Sequence, residues 1–185
     1  VNTAAIAIEN AKLTARDKNR LRRLEMLSQV SDEMMGDLHS LSLHDRLTST
    51  VRRVVEILDA EAGSIFLVKR PGFITKEACY GHRERDFQLG REFAITSGER
   101  TGLTGHIAFT GELFNAYGDD LISHPAVAGR RPTHLASGRC HSLLAIPLNQ
   151  HVDGEERLIG LLEVENKKGQ DGQPEDHVGF TEEDE

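Results

Sequence analysis

Two apolar segments near the C-terminal end constrain this 185-residue chain more than any other feature. Ser142–Leu148 and Arg157–Asn166 have the length of strands, and the intervening residues 149–156 are polar and include Gly154. So short a connection joins antiparallel neighbours, because parallel strands need a crossover of about a dozen residues or more. We therefore predict that these two strands form a hairpin that closes the domain.

In the part of the chain before these two strands, the spacing of apolar residues changes from that of a helix to that of strands. Apolar residues recur at helical spacing from Leu47 onward, and they predict a helix that starts at Ser42 or His44 and ends near Ala60–Gly63. Together with the closing hairpin, the pattern predicts an α+β fold with a six-stranded antiparallel sheet flanked by helices. The other predicted elements are strands at 64–68, 73–80, 92–95 and 113–116, and short helices at 102–111 and near 125–129.

The N-terminal residues predict a long helix. Residues 3–39 contain no proline and a single glycine, Gly36. We expect residues 1–41 to form a connecting helix that makes a parallel homodimer through a heptad seam, in which Ser31 takes one seam position. The alternative is a single helix that packs on its own domain. The seam is imperfect, because Asn10, Asp17 and Arg20 interrupt its frame. Its apolar residues are Leu24, Leu27, Met34, Leu38 and Leu41, with Ile6 and Leu13 extending the frame backwards.

Composition excludes several classes of protein. The longest apolar runs reach only strand length, so no segment is long enough to cross a bilayer as a helix. The 22 basic and 30 acidic residues give a net charge of −8, which argues against a nucleic-acid surface. The chain has two cysteines without CxxC spacing and no secretory signal, and these features indicate a reduced, cytoplasmic setting.

The C-terminal residues have the pattern of a helix start. Thr181 and Asp184 have the spacing of a capping box, and Glu182 and Glu183 would be stabilised at the positive end of a helix. We therefore expect a terminal helix to follow, and the chain to be a piece of a longer protein.

Five segments, taken in order, point to a known family. They are Gly63–Val68, Thr101–Glu112, His124–Val127, Ser142–Leu148 and Leu158–Lys167. Together they resemble a GAF domain over residues 42–185. The resemblance implies a sensor module of a larger signalling protein, with the output domain in the same polypeptide. Residues 4–13 resemble the end of a GAF terminal helix, which implies a preceding sensor domain.

A further pattern runs from the last predicted strand into the C-terminal residues. Asn166-Lys167, then Phe180, then Asp184-Glu185 match the N-K-x(n)-F-x3-D-E signature associated with GAF domains of phosphodiesterases and adenylyl cyclases. The resemblance implies that these residues tie the last strand to the terminal helix and do not contact ligand. An ion pair between Lys167 and Asp184, with Phe180 over the edge of the core, would make this tie.

The resemblance also implies a small-molecule site between the sheet and the loop over the two short helices. Leu103 and Thr104 would lie at a helix N-terminus, where backbone N–H groups suit a phosphate. Cyclic nucleotides are one candidate ligand, although Ala136 and Cys140 replace hydroxyl-bearing residues and Cys79-Tyr80 replaces a Phe-Asp pair. The alternative is a ligand-free scaffold for dimerisation and relay. The implied ligand-binding residues are Ser64, Cys79, Tyr80, Leu103, Thr104, Ile122, Cys140 and Glu163.

Other cofactors and activities have weaker support in the sequence. The Cys140-His141 pair resembles bilin attachment in some GAF photoreceptors, but here it abuts a strand, and the chain has no Trp to line a tetrapyrrole. The nine histidines show no metal-ligand spacing, so bilin, haem and metal are disfavoured. We expect no enzymatic activity in this piece of the protein, since nucleotide-loop and hydrolase motifs are absent; the output domain of the full-length protein could be a kinase, cyclase or phosphatase. The catalytic alternative is a methionine-sulfoxide reductase that uses Cys79 and Cys140.

The heptad seam makes oligomeric state the first test of the N-terminal helix. Sedimentation of the protein with its terminal helix included should give the mass of a dimer, because paired seams bury each other's apolar side chains. A monomeric mass under those conditions would contradict the prediction.

Overall fold

The computed structural model describes residues 42–82, 88–98, 102–127, 139–152, 154–175 and 177–184. The helix predicted over residues 1–41 and the signature residue Glu185 lie outside these ranges. None of the described helices combines the length and the apolar content needed to cross a membrane. The helices are α1 (Leu43–Ile57), α2 (Leu103–Thr110) and α3 (Gly118–Ser123). The strands are β1 (Ala60–Arg70), β2 (Phe73–Tyr80), β3 (Glu92–Ala94), β4 (Phe114–Tyr117), β5 (Ser142–Val152) and β6 (Glu155–Lys167).

The six strands form one antiparallel sheet in the order β3-β2-β1-β6-β5-β4. The β5–β6 hairpin is its longest pairing, and it leaves two residues, 153 and 154, between the strands. Most of the connection predicted at 149–156 is therefore strand. The predicted α+β fold with a six-stranded antiparallel sheet is confirmed, and the closing hairpin lies next to the centre of that sheet.

Helix α1 ends earlier than the apolar spacing predicts. Asp59 has a left-handed backbone conformation with a φ of 48°, which stops the helix, and β1 has begun by Ala60. The helix end predicted near Ala60–Gly63 is therefore wrong. Gly63 lies in the strand beneath α1, where an added Cβ would be 2.8 Å from Val55 Cγ2. The absence of a side chain lets the helix pack closely on the sheet.

The second short helix is displaced from its predicted position. It is α3, which precedes the predicted range 125–129, and its first turn holds Asp119 and Asp120, whose charges suit a helix N-terminus. Pro125 follows the helix in a turn, because proline lacks the N–H that a helix interior needs. The other elements agree with their predicted positions apart from their ends.

The sheet has two buried faces. Helix α1 covers one of them, which we call the α1 face, through Val51 and Val55. Helix α2 packs on the other, the α2 face, through Ile107 and Ala108. Sheet residues in the α1-face core include Ile65, Ala78, Leu144 and Val164, and those in the α2-face core include Ala62, Phe66, Ile74, Leu143, Ala145 and Leu161.

A β-bulge in β2 decides which of its residues reach each face. Adjacent residues of β1 pair with Ala78 and Lys76, which leaves Glu77 as the extra residue. Ala78 therefore packs on the α1 face, and Cys79 joins Lys76 on the α2 face. Strict alternation along the strand would have put Lys76 and Cys79 on opposite faces.

Asn166, near the end of β6, connects three parts of the fold. It is fully buried and has a left-handed backbone conformation with a φ of 61°. Its Oδ1 accepts hydrogen bonds from the backbone N–H groups of His141 at 2.5 Å and Ser142 at 3.3 Å. Its Nδ2 donates to Glu61 Oε2 at 2.6 Å and to Arg139 O at 2.9 Å. These bonds tie β6 to β1 and to the start of β5.

Lys167, the next residue, connects β6 to α1 and to the C-terminal residues. Its Nζ donates to Leu58 O at 2.7 Å and lies 3.1 Å from Asp184 Oδ1. The carboxylate of Asp184 also accepts a hydrogen bond from Thr181 N–H at 2.8 Å, which is one half of the predicted capping box. Phe180 is buried in the α1-face core. The ion pair and the core contact are therefore those that the signature implies.

We expect Asn166→Ala to lower the free energy of unfolding by about 3 kcal/mol in urea denaturation. The substitution leaves several buried hydrogen-bonding groups without partners, at about 1–3 kcal/mol each, and some relaxation offsets part of the sum. Asn166→Gly removes the same bonds but suits the left-handed backbone, so it should lose about 1 kcal/mol less than the alanine variant.

Asn149→Ala is the matched control. The Asn149 side chain is exposed and donates to Glu156 Oε1 at 3.0 Å, so its removal should change the stability by less than about 0.5 kcal/mol. Equal losses at the two positions would contradict the role assigned to Asn166.

Candidate ligand site on the α2 face

A row of buried polar side chains crosses the centre of the α2 face. Ser64 on β1 lies opposite Cys79 on β2 and opposite Glu163 on β6, so three adjacent strands each contribute one residue to it. The exposed fractions of the three residues are 0, 7 and 6%. Among the described residues, Ser64 Oγ has no hydrogen-bond partner. The centre of this face thus carries hydrogen-bonding groups where a face used only for packing would be apolar.

A buried pair of ionisable side chains lies beside this row. Glu165 is two residues along β6 from Glu163 and therefore shares its face. Its Oε1 is 3.5 Å from His82 Nε2, and both side chains are buried. His82 Nδ1 lies 3.1 Å from Tyr80 O. Two carboxyl groups thus lie on one face of a central strand, immediately before Asn166.

Lys76 brings a positive charge to the same face. The residue is 6% exposed, and its Nζ lies 5.6 Å from the centroid of the Phe66 ring. Burial raises the pKa of the Cys79 thiol above its ordinary 9.0, while the charge of Lys76 lowers it and that of Glu165 raises it. The net shift is upward, so the thiol stays protonated at neutral pH.

The structure brings together some of the predicted ligand residues. Ser64, Cys79 and Glu163 form the row described above. Tyr80, in contrast, packs against the α1-face core, and its ring centroid is 5.7 Å from Cζ of Arg52. Tyr80 therefore lies on the opposite side of the sheet from the row.

The remaining predicted residues lie around the row rather than in it. Leu103 is half-buried and packs on the α2-face core, and Thr104 and Ile122 are also half-buried. Cys140 is buried just before β5, where its Sγ donates to Ser142 O at 3.4 Å. Strands β1 and β6 lie between β5 and β2, the strand of Cys79. Cys79 is itself a member of the row, and Cys140 is thus separated from Cys79 by two strands.

Three members of the site are absent from the predicted set. The period of β6 could have indicated Glu165, because Glu163 and Glu165 alternate with apolar residues and must share a face. No comparable pattern in the sequence indicates that Lys76 or His82 belongs to the site. The bulge in β2 that aligns Lys76 with Cys79 depends on the pairing with β1, which the residue pattern of β2 does not contain.

A separate open cleft of about 460 Å³ lies where α1 ends and β1 begins. Its lining includes Asp59, Tyr80, His82 and Lys168 but not Ser64 or Glu163. Of the described residues in or beside the polar row, the lining includes only His82, so the cleft is distinct from the row.

Two histidines join α2 to the turn after α3. The rings of His106 and His124 have centroids 5.0 Å apart, and His124 is 5.3 Å from the ring of Phe114. Burial and the nearby charge of His106 lower the pKa of His124. Within the described part of the chain, no group of three or more His, Cys, Asp or Glu side chains could hold a metal ion. The observed contacts of the histidine pair are those between the rings of His106, His124 and Phe114.

The GAF domain family matches the chain over residues 42–185, a range that contains every element described above. The chain therefore belongs to the GAF domain family, as its sequence motifs predict. A comparison with curated proteins finds no match.

Solved structures of bacterial GAF domains are similar to this fold. One is the GAF domain of a phosphoenolpyruvate-protein phosphotransferase from Coxiella burnetii, at 28% identity and a TM-score of 0.64, covering 89% of this chain and 84% of that one. Another, from the Acinetobacter phosphotransferase, has 23% identity and a TM-score of 0.61, covering 88% and 83%. The A. aeolicus nlh2 GAF domain has 16% identity and a TM-score of 0.58, covering 83% and 84%. The last two show the fold alone.

We expect acid to destabilise the domain in part through His124. Its folded-state pKa lies below the ordinary 6.5, so the unfolded chain binds the proton more tightly. The contribution of His124 to stability is therefore complete above pH 6.5 and decreases as the pH falls below that value. His124→Asn should reduce the fall in melting temperature on acidification, whereas His151→Asn, at an exposed position, should not. An unchanged acid profile in His124→Asn would overturn the assignment.

Proposed function

We propose that this chain is a regulatory module that senses a small molecule bound on the α2 face. The observation that carries the proposal is the group of buried polar residues in a face otherwise made of core side chains. Burying polar and charged groups costs free energy unless they find partners. Ser64 Oγ has none among the described residues, and a bound polar ligand would supply one.

A ligand-free scaffold is the alternative from another class. A face filled by Phe66, Tyr80 or Ile122 would favour it. Phe66 is indeed buried in the α2-face core, but Tyr80 packs on the α1 face and Ile122 is half-buried. The clustering of six polar or ionisable residues on the α2 face favours sensing over the scaffold. They are Ser64, Lys76, Cys79, His82, Glu163 and Glu165.

A reductase of the methionine-sulfoxide type would need Cys79 and Cys140 to approach each other. A disulfide requires Cα atoms within about 7 Å. Cys79 is on β2 and Cys140 lies just before β5, and strands β1 and β6 lie between these two strands. Because neighbouring strands are about 4.8 Å apart, the two cysteines are well beyond that distance. The strand order therefore supports a regulatory role over this catalytic one.

Strand β6 offers a route from the ligand to the ends of the domain. Glu163 and Glu165 lie in the polar row or beside it, and the strand continues into Asn166 and Lys167. Lys167 bonds both to the carbonyl that follows α1 and to Asp184 near the C-terminal end. A ligand with different affinity for two positions of β6 would shift both contacts, and only such a difference moves an equilibrium.

The proposed assembly is the one that the sequence predicts. Residues 1–41 would pair two copies through their helix, and an output domain in the same polypeptide would receive the change. Cyclic nucleotides remain one candidate ligand, with Thr104 at the α2 N-terminus and Glu163 in the row as the first residues to test.

Calorimetric titration with cyclic AMP and cyclic GMP tests the proposal, after native mass spectrometry for co-purified small molecules. We expect the wild-type chain to bind one small molecule at micromolar affinity or better. Glu163→Gln should weaken binding about tenfold, equal to about 1.4 kcal/mol, because the proposed ligand loses a carboxylate that accepts hydrogen bonds from its N–H and O–H groups.

Glu156→Gln is the matched control on the same strand. Glu156 is exposed near the hairpin end, so this variant should bind like the wild type. A folded wild-type chain that carries no small molecule and binds neither nucleotide would favour the scaffold.

A further inference from the structure

Lys76 differs from the other lysines of the described chain in its surroundings. Lys69, Lys167 and Lys168 each have an acidic side chain within ion-pair distance: Nζ–O separations are 2.7, 3.1 and 3.9 Å to Glu77, Asp184 and Asp59. Lys76 is 6% exposed and makes no ion pair with any described residue. Its Nζ makes a cation–π contact with the Phe66 ring, 5.6 Å from the ring centroid. Glu163 and Glu165 share its face, but Lys76 is a buried ammonium group that no carboxylate of the described chain meets at ion-pair distance.

A buried charge of this kind requires compensation. The cost of removing an ammonium group from water exceeds what one aromatic ring returns through a cation–π contact. An anion bound beside Nζ would supply the missing opposite charge, and a charge-assisted hydrogen bond would add to it.

A second donor lies close to Lys76 on the same face. Ser64 pairs with Cys79, and Phe66, two residues along β1, pairs with Lys76. Ser64 and Lys76 are therefore diagonal neighbours across two strands, a position from which long side chains reach one another. Ser64 is fully buried, and its Oγ lacks a partner among the described residues. An ammonium and a hydroxyl are donors that suit an anionic oxygen.

We propose that Lys76 and Ser64 form an anion-binding subsite that takes a singly charged oxyanion of the ligand, a carboxylate or a phosphodiester. This inference rests on the proposed function, in which the α2 face holds a small molecule. It differs from the sequence prediction, which put the anion at Leu103 and Thr104.

The charged residues of the α2 face are the reason why the bound anion should carry a single negative charge. Lys76 is the one lysine or arginine side chain described in the polar group, while Glu163 and Glu165 contribute two carboxyl groups to it. A dianion such as a phosphate monoester would place a second negative charge near these carboxyl groups, and the described face has no second cation to pair with it.

Thermal melting of the full chain with simple anions tests the subsite without knowing the natural ligand. The probes are acetate, dimethyl phosphate and sulfate, each compared with chloride at a matched ionic strength of about 0.1 M. The wild-type melting temperature should rise with acetate or dimethyl phosphate, because a ligand that binds only the folded state stabilises it by mass action. Sulfate should have no more effect than chloride.

The variants are Lys76→Met and Ser64→Ala, with Lys69→Met as the control. Lys76→Met keeps the length of the side chain and removes the charge, so it should melt at or above the wild type in chloride and lose the response to the anions. Ser64→Ala should reduce the response, and Lys76→Arg should keep most of it. Lys69→Met, at an exposed position of β1, should respond like the wild type.

Each outcome of these experiments either supports or overturns the anion subsite. A response to acetate alone assigns a carboxylate, and a response to dimethyl phosphate alone assigns a phosphodiester. A response that Lys76→Met retains, or no response in the wild type, overturns the subsite. A nucleotide that binds Lys76→Met as tightly as the wild type also overturns it, but leaves the proposed function intact. Loss of the anion response in Lys76→Met, with no small molecule bound by the wild type, would defeat the sensing role and keep the subsite.

Discussion

The hydrogen bonds of the Asn166 side chain are the interaction on which the rest of this fold depends. One carboxamide satisfies two backbone N–H groups at the start of β5, a backbone carbonyl and the carboxylate of Glu61 on β1. Inside a protein such groups are costly when unpaired. Residues 139–142 are therefore held against the end of β6, and Lys167, the next residue, reaches the carbonyl that follows α1.

The same strand carries the two features on which the proposed function rests. On the α2 face, β6 contributes Glu163 and Glu165 to a buried polar group; at its end, Lys167 contacts the end of α1 and Asp184. A packed strand transmits small displacements because interiors are close-packed and have few discrete arrangements. The residues proposed for binding and those proposed for relay are thus adjacent along a single strand, which is the physical basis for proposing a sensor rather than a scaffold.

Several features were predictable because they depend on residues close in sequence or on a specific signature. The hairpin of β5 and β6 follows from two strand-length apolar runs and a polar connection. The Lys167–Asp184 ion pair and the burial of Phe180 follow from the signature residues. Helix α2 is bounded by Gly102 and Gly111, and Gly111 has a left-handed φ of 67°, as a helix C-cap requires. These elements needed no knowledge of their neighbours.

The sequence by itself determined the family, the α+β class and the positions of most strands, because period and turn residues act locally. Only the tertiary structure decided which side chains meet on the α2 face. The bulge at Glu77 put Cys79 with Lys76 and left Tyr80 on the α1 face, and a bulge exists only as a mismatch between two paired strands. The burial of Lys76 arises in the same way, since a lysine is buried or exposed according to what packs over it and not according to its own chemistry.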